Sequence, residues 1–403
     1  MNDIPQQTLS VYKNELLDEW LSILNYWMMY VVDNDHGGFY GSVNNMNVPD
    51  AAAEKGIVMN SRILWTFAAS YLENQDKAYL QIADRAFNYI NDHFVDQEYG
   101  GVYWSVDSVG NVLDGKKQVY GLAFCIYGMS EYYKASGNEA ALTLCKNLFE
   151  CIERYSFDKD HGGYLEAFTR EWKLTDDLRL SEKDDNEKKT MNTHLHLVEA
   201  YANLCQVWPY DLLKEKIIGL LDNFSSYFIN KESFHLNLFM DEQWNLRSSL
   251  VSFGHDIEAS WLLLQCAEII QNDHYIRIFT DYAIEIAYAA TEGLGKDGGL
   301  WYEYEPLDDA MVKEKHSWPQ AEAMIGFINV YQLTGNEKYL QHSLNCWAFT
   351  KKHIIDEERG EWFWGVDENN SVMLDKDKAG FWKCPYHSVR ACREITKRIA
   401  ILK

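Results

Sequence analysis

The sequence predicts an all-α chain, an (α/α)6 barrel of six helix-pair units with short Gly-Gly β-hairpins on its rim. Three features point there. A Gly-Gly-aromatic turn recurs about every 62 to 68 residues, the stretches between turns have helical periodicity, and both ends of the chain are amphipathic.

The turn reads Asp35-His36-Gly37-Gly38-Phe39-Tyr40, Glu98-Tyr99-Gly100-Gly101-Val102-Tyr103, Asp160-His161-Gly162-Gly163-Tyr164-Leu165 and Lys296-Asp297-Gly298-Gly299-Leu300-Trp301. A weaker copy is Glu358-Arg359-Gly360-Glu361-Trp362-Phe363. A degenerate one, Phe234-His235-Leu236-Asn237-Leu238, fills the gap in the spacing. Each gives a reversal at positive φ followed by two or three extended residues. Between turns, Leu80, Ala83, Phe87 and Ile90 form one stripe at helical spacing. Ser136-Gly137-Asn138-Glu139 and Thr334-Gly335-Asn336-Glu337 each end one helix on glycine and open the next on asparagine.

A unit is therefore helix, turn, helix, hairpin. An open solenoid of such pairs needs polar caps on its end units. Here Trp20, Leu21, Leu24, Trp27 and Met28 at one end and Val389, Cys392, Ile395 and Ile399 at the other offer apolar stripes that closure would bury. Residues 1–403 are read as a single barrel domain. Residues 164–190 break the rhythm. Their hairpin-like insertion and the charged run from Ser181 to Lys189 are either a solvated loop or a rim element over a pocket.

Net charge is −24, from 37 Lys+Arg against 61 Asp+Glu, which argues against nucleic acid or an anionic membrane as a partner. No apolar run reaches the roughly 18 residues a membrane span needs. Met1 to Gln7 has neither a basic nor an apolar segment of a secretory leader. The eight cysteines form no CxxC and sit mostly in apolar stretches, as free thiols of a reducing compartment do. The expectation is a cytoplasmic monomer. GxGxxG, the P-loop, GxSxG and HExxH are all absent, so neither a cofactor nor a metal is expected.

His194 and His196 invite a metal reading, but on a helix i and i+2 lie about 200° apart, which separates the two rings. Asn192, His196 and Glu199 do share a face, although His196 alone reads equally as a satisfied core histidine. In Gly254-His255-Asp256-Ile257-Glu258, a carboxylate three residues after His255 can orient or charge-tune the imidazole; the alternative is an incidental glutamate at a helix start. Trp318, just before Pro319, and Trp382, before Pro385, sit at helix mouths, where indole faces suit sugar C–H faces. Glu322 and His387 lie one turn inside or at those mouths. Arg62 and Tyr120 begin the first helices of their units. Polar residues thus gather at the same end of all six units, and a barrel superposes that end into one pocket.

At these residues the sequence resembles the N-acylglucosamine 2-epimerase superfamily. The matching strings are Met191-Asn192-Thr193-His194-Leu195-His196, Phe253-Gly254-His255-Asp256-Ile257-Glu258-Ala259-Ser260-Trp261, His316-Ser317-Trp318-Pro319-Gln320-Ala321-Glu322 and Trp382-Lys383-Cys384-Pro385-Tyr386-His387. The match covers nearly the whole chain, and Asp256 to Trp261 favours the cellobiose-acting branch over the acylglucosamine one. The resemblance implies a metal-free epimerase inverting C2 of the reducing-end glucose of β-1,4-linked disaccharides. Its reactions would be cellobiose to 4-O-β-D-glucosyl-D-mannose and lactose to epilactose. The family's two essential histidines fall on His255 and His387, and its third active-site histidine on His196. Arg62, Tyr120, Asn192, Glu258, Trp261, Trp318, Glu322 and Trp382 fall on substrate-binding positions. Three alternatives stand beside this. One is a mannose 2-epimerase or aldose–ketose isomerase of the same superfamily. Another is a glycoside hydrolase using Glu258 and Glu322, which leaves three histidines without a task. The last is a non-catalytic helical scaffold.

Overall fold

Twelve α-helices account for the periodic stretches in the computed structural model, which describes residues 6–402. Residues 1–5 of the segment read for a leader lie outside that range. The helices are α1 (Gln6–Tyr26), α2 (Ile57–Asn74), α3 (Lys77–Tyr89), α4 (Val119–Ser136), α5 (Glu139–Tyr155) and α6 (Met191–Cys205). They continue as α7 (Asp211–Asn223), α8 (Phe253–Ile269), α9 (Asp273–Ala290), α10 (Ser317–Thr334), α11 (Glu337–His353) and α12 (Tyr386–Ile401).

The even-numbered helices touch in the cycle α2, α4, α6, α8, α10, α12 and back to α2, so the inner ring is closed. Each is backed by an odd-numbered helix, with α1 covering α12. The division follows the sequence. Inner α4 is buried continuously from Val119 to Tyr132, whereas outer α5 buries a stripe through Ala141, Cys145, Leu148 and Ile152. Gly128 lets α4 approach α2, because a Cβ there would stand 2.5 Å from the Ser61 carbonyl oxygen.

Closure buries the two terminal stripes, with Trp20, Leu24, Trp27, Val389, Cys392, Ile395 and Ile399 all inside. Met28 is half-buried and Leu21 is 46% exposed: one residue past Trp20, it points about 100° off the buried stripe. The α1 helix ties the last unit to the first. Trp347 Nε1 donates to Glu15 Oε2 at 2.7 Å and Trp20 Nε1 to Ser70 Oγ at 3.0 Å.

The hairpins stitch neighbouring units together. The two residues leading into an inner helix pair with an antiparallel strand of the next unit: Lys55–Gly56 with Ser105–Val106, Lys117–Gln118 with Ala167–Phe168, Lys189–Thr190 with Phe239–Met240. Val251–Ser252 and Lys315–His316 do likewise, and a bridge between Val43 and Ala379 closes the circle. Below each turn an aspartate uses one oxygen to cap the turn and the other to hold a buried lysine. The pairs are Asp33–Lys55, Asp96–Lys117, Asp158–Lys189 and Asp356–Lys378, at 2.6 to 2.8 Å, and Asp297–Lys315. Only the unit with the degenerate turn departs from this among the described residues. Asn230 caps there, Val251 stands where the lysine would, and His235 Nδ1 pairs instead with Asp256 Oδ2 at 2.7 Å.

Candidate active site

Because every inner helix starts from the hairpin face, its first turns project into one cavity of about 660 Å³. Arg62 stands on its wall from α2, Tyr120 from α4, Asn192 and His196 from α6, and His255 and Glu258 from α8. Trp318 comes from α10, His387 from the start of α12 and Trp382 from the loop before it. The α10 helix begins at Ser317, so Trp318 lies inside its first turn and Pro319 is its third residue, where the missing N–H costs no helical bond. The insertion lies at the cavity mouth, where Leu178 to Ser181 and Lys183 to Asp185 contribute to the lining; Gln118 Nε2 donates to the Leu178 and Arg179 carbonyls at 3.1 and 2.8 Å.

Two residues expected on the wall stand one layer down. Trp261, nine residues into α8, is buried and donates Nε1 to Glu322 Oε2 at 3.1 Å. Glu322 is fully buried, its oxygens engaged by Trp261, His387 and Arg390. Conversely, Tyr302, Glu303 and Trp364 line the cavity and were not foreseen. Their signal is position: each follows a Gly-Gly or Gly-Glu turn by three or four residues, where the outgoing strand of the hairpin aims inward.

The His-x-His pair splits as helical spacing requires. His194 turns outward, with Nδ1 2.8 Å from the Thr190 carbonyl and Nε2 accepting the Tyr164 N–H at 3.0 Å. Burial holds it down at about 3, so it is neutral with the proton on Nδ1. His196 faces the cavity and sets Nδ1 2.9 Å from Glu199 Oε2.

His255 differs from expectation in its partner. Its Nδ1 lies 2.8 Å from Ser252 Oγ, on the residue before the helix, while Glu258 turns to Arg390 instead. The i+3 spacing does place both on the cavity side, but the guanidinium competes better for a carboxylate than a neutral ring does. His387 Nδ1 is 2.7 Å from Glu322 Oε1, so it donates to that carboxylate and leaves Nε2 as a free base. Burial, followed by the charge of His196, pushes His255 down to about 3. Burial, then Arg62 and Arg390, drive His387 well below the usual imidazole range. Six helix N-termini around one cavity act in the same direction. The indole of Trp318 packs against both rings, at 4.8 Å from His255 and 5.6 Å from His387. The cavity therefore holds two neutral imidazoles from α8 and α12, the helices on either side of α10.

Arg62 Nη2 donates to Tyr120 Oη at 2.8 Å, while its buried Nε has no partner. Among the described residues, one group of side chains has the spacing of a metal site, namely Glu258, Glu322 and His387. The Arg390 guanidinium already sits among its carboxylates, donating to both.

Fold and site together define the class, an (α/α)6 barrel with a pocket of histidines, carboxylates and indoles at the N-terminal ends of its inner helices. The N-acylglucosamine 2-epimerase (GlcNAc 2-epimerase) family profile matches residues 38–391, and the chain belongs to that family. It is 45% identical to the cellobiose 2-epimerase of Bacteroides fragilis, over 96% of this chain and 98% of that one. The solved structure of cellobiose 2-epimerase from Bacillus thermoamylovorans superposes with a TM-score of 0.92 at 38% identity, covering 96% of this chain and all of the other. The D-mannose isomerase of Marinomonas mediterranea is 26% identical over 91% of this chain and 92% of its own. The chain is thus an isomerase-class enzyme, a sugar epimerase.

Proposed function

We propose that the enzyme inverts C2 of the reducing-end glucose of β-1,4-linked disaccharides, converting cellobiose to 4-O-β-D-glucosyl-D-mannose and lactose to epilactose. The observation that carries this reading is the pair of neutral imidazoles, His255 and His387, reaching one cavity from α8 and α12. Once the ring opens, C2 is α to an aldehyde and its proton is acidic enough for an imidazole to remove. One histidine takes that proton. The other returns a proton to the opposite face of the planar enediolate, which inverts the centre. The Arg62 guanidinium on the cavity wall and the surrounding helix N-termini offer stabilisation to the enediolate oxygen. Trp318 and Trp382 supply faces for pyranose stacking, and a cavity of about 660 Å³ has room for two sugar rings. Kinship with the Bacteroides fragilis enzyme supports the choice of disaccharide.

The mannose-acting alternative draws on the D-mannose isomerase relative. Separate incubations with cellobiose, lactose and mannose, followed by sugar analysis, decide between them. Cellobiose and lactose should react and mannose should react poorly; faster turnover of mannose would move the assignment to the monosaccharide reaction. Release of free glucose from cellobiose would mark a hydrolase instead.

A further inference from the structure

One buried cation has no role in the reading above. Arg390, 1% exposed, lies on α12 one turn after His387 and is not part of the cavity wall. Its Nη1 donates to Glu199 Oε1 at 2.6 Å and also contacts the Tyr386 hydroxyl. Its Nη2 donates to Glu322 Oε1 at 2.6 Å and to Glu258 Oε1. Three carboxylates from α6, α8 and α10 thus converge on one guanidinium from α12. Two of the three are the direct partners of cavity histidines, Glu199 of His196 and Glu322 of His387.

We propose that Arg390 is a positioning residue that fixes the orientation and tautomer of His387 through Glu322, and the orientation of His196 through Glu199. The planar fork suits the task, since its donors point along fixed coplanar directions, whereas the three of an ammonium rotate about the side chain. One cation among three buried carboxylates also shares its charge unequally. Burial would raise Glu199, but Arg390 and His196 bring it down to about 2, whereas burial and then Glu322 push Glu258 up to about 7. Glu199 is the member held most firmly as an anion.

The proposal rests on the epimerase reading of the pocket, so its test includes a measurement that needs no turnover. In wild-type enzyme labelled with ¹⁵N-histidine, His387, assigned by its absence in His387→Asn, should carry its proton on Nδ1. In Glu322→Gln that ring should lose the single tautomer, and kcat on cellobiose should fall about 10²-fold with KM within about twofold. Arg390→Met should lower kcat similarly, and Arg390→Lys should recover only part of the loss. If Arg390→Met fails to fold, as removing a partner from a buried cluster can cause, Arg390→Lys decides: its His387 should also lose the single Nδ1 tautomer, and an unchanged ring and rate there would overturn the proposal. A wild-type His387 protonated on Nε2, or an unchanged ring and rate in Glu322→Gln, would overturn the proposal. If wild-type enzyme leaves cellobiose untouched while the tautomer shift still appears, the substrate reading falls and the positioning role stands.

Discussion

Two sets of buried charges share the hairpin end of the barrel, and they are built on different ratios. In the hairpin turns, each of five lysines meets its own aspartate, one cation to one anion except at Asp96, which Arg170 also reaches. Beneath the cavity, one arginine meets three glutamates with histidines at the margin. A one-to-one pair is closed, with both charges satisfied, so removing one member strands the other and costs stability. A one-to-three cluster has more anionic sites than cations, so its members differ in how firmly they hold a proton, and two of them hold the histidine rings beside them. The first set braces the hairpins against the inner helices, and the second, on the proposal above, positions the cavity histidines.

The sharpest separation should come from His255→Asn and His387→Asn. Each should lower the epimerisation rate at least about 10²-fold with little change in thermal melting. If either keeps near wild-type turnover, the pair of imidazoles is misassigned. Lys55→Met should do the reverse. It strands Asp33, both groups being 1% exposed, and should cost about 3–5 kcal/mol in urea unfolding. The rate per folded molecule should stay unchanged, and an unaffected urea midpoint would contradict the role given to these pairs.

The exceptional unit sharpens the comparison, because its strut is a histidine. Burial opposes the charge on His235, but Asp256 and Glu292 outweigh it and raise its pKa. Its contribution to stability is therefore complete below the ordinary imidazole value of about 6.5 and is lost as pH rises through the raised folded value. The urea midpoint should fall across that window, and His235→Gln should flatten the slope; a slope unchanged in His235→Gln would show that another group titrates. The smallest effect should follow metal removal. With Arg390 seated among Glu258 and Glu322, dialysis against EDTA should leave the rate intact, and a loss restored by a divalent ion would contradict that.

What the sequence made legible was local or periodic. Gly137 and Gly335 take φ of 69° and 68°, and Asn138 and Asn336 cap the following helices, as their spacing implied. The first unit reaches the same geometry with Gln75 at φ 60° and Asp76 as cap, a less obvious pair. In the degenerate hairpin Phe234 itself adopts φ 60° without a glycine. The stripe of Asn192, His196 and Glu199 was readable because one helix carries it. The Arg390 cluster was not, since its partners lie 191, 132 and 68 residues away and meet only when the ring closes. The lysine struts were within reach: Lys55, Lys117, Lys189 and Lys315 each precede an inner helix by two residues, a register that aligned repeats would have displayed. Glu258 was matched to the wrong partner because spacing along one helix says nothing about a competing cation on another.

Isotope incorporation tests the central claim most directly. If a planar enediolate forms between His255 and His387, the proton at C2 passes through an imidazole that exchanges with water. Cellobiose converted in D₂O should therefore carry deuterium at C2 of the mannose-configured product, with 4-O-glucosyl-fructose at most a minor product. Product of mannose configuration without deuterium at C2, or the ketose as the main product, would contradict it.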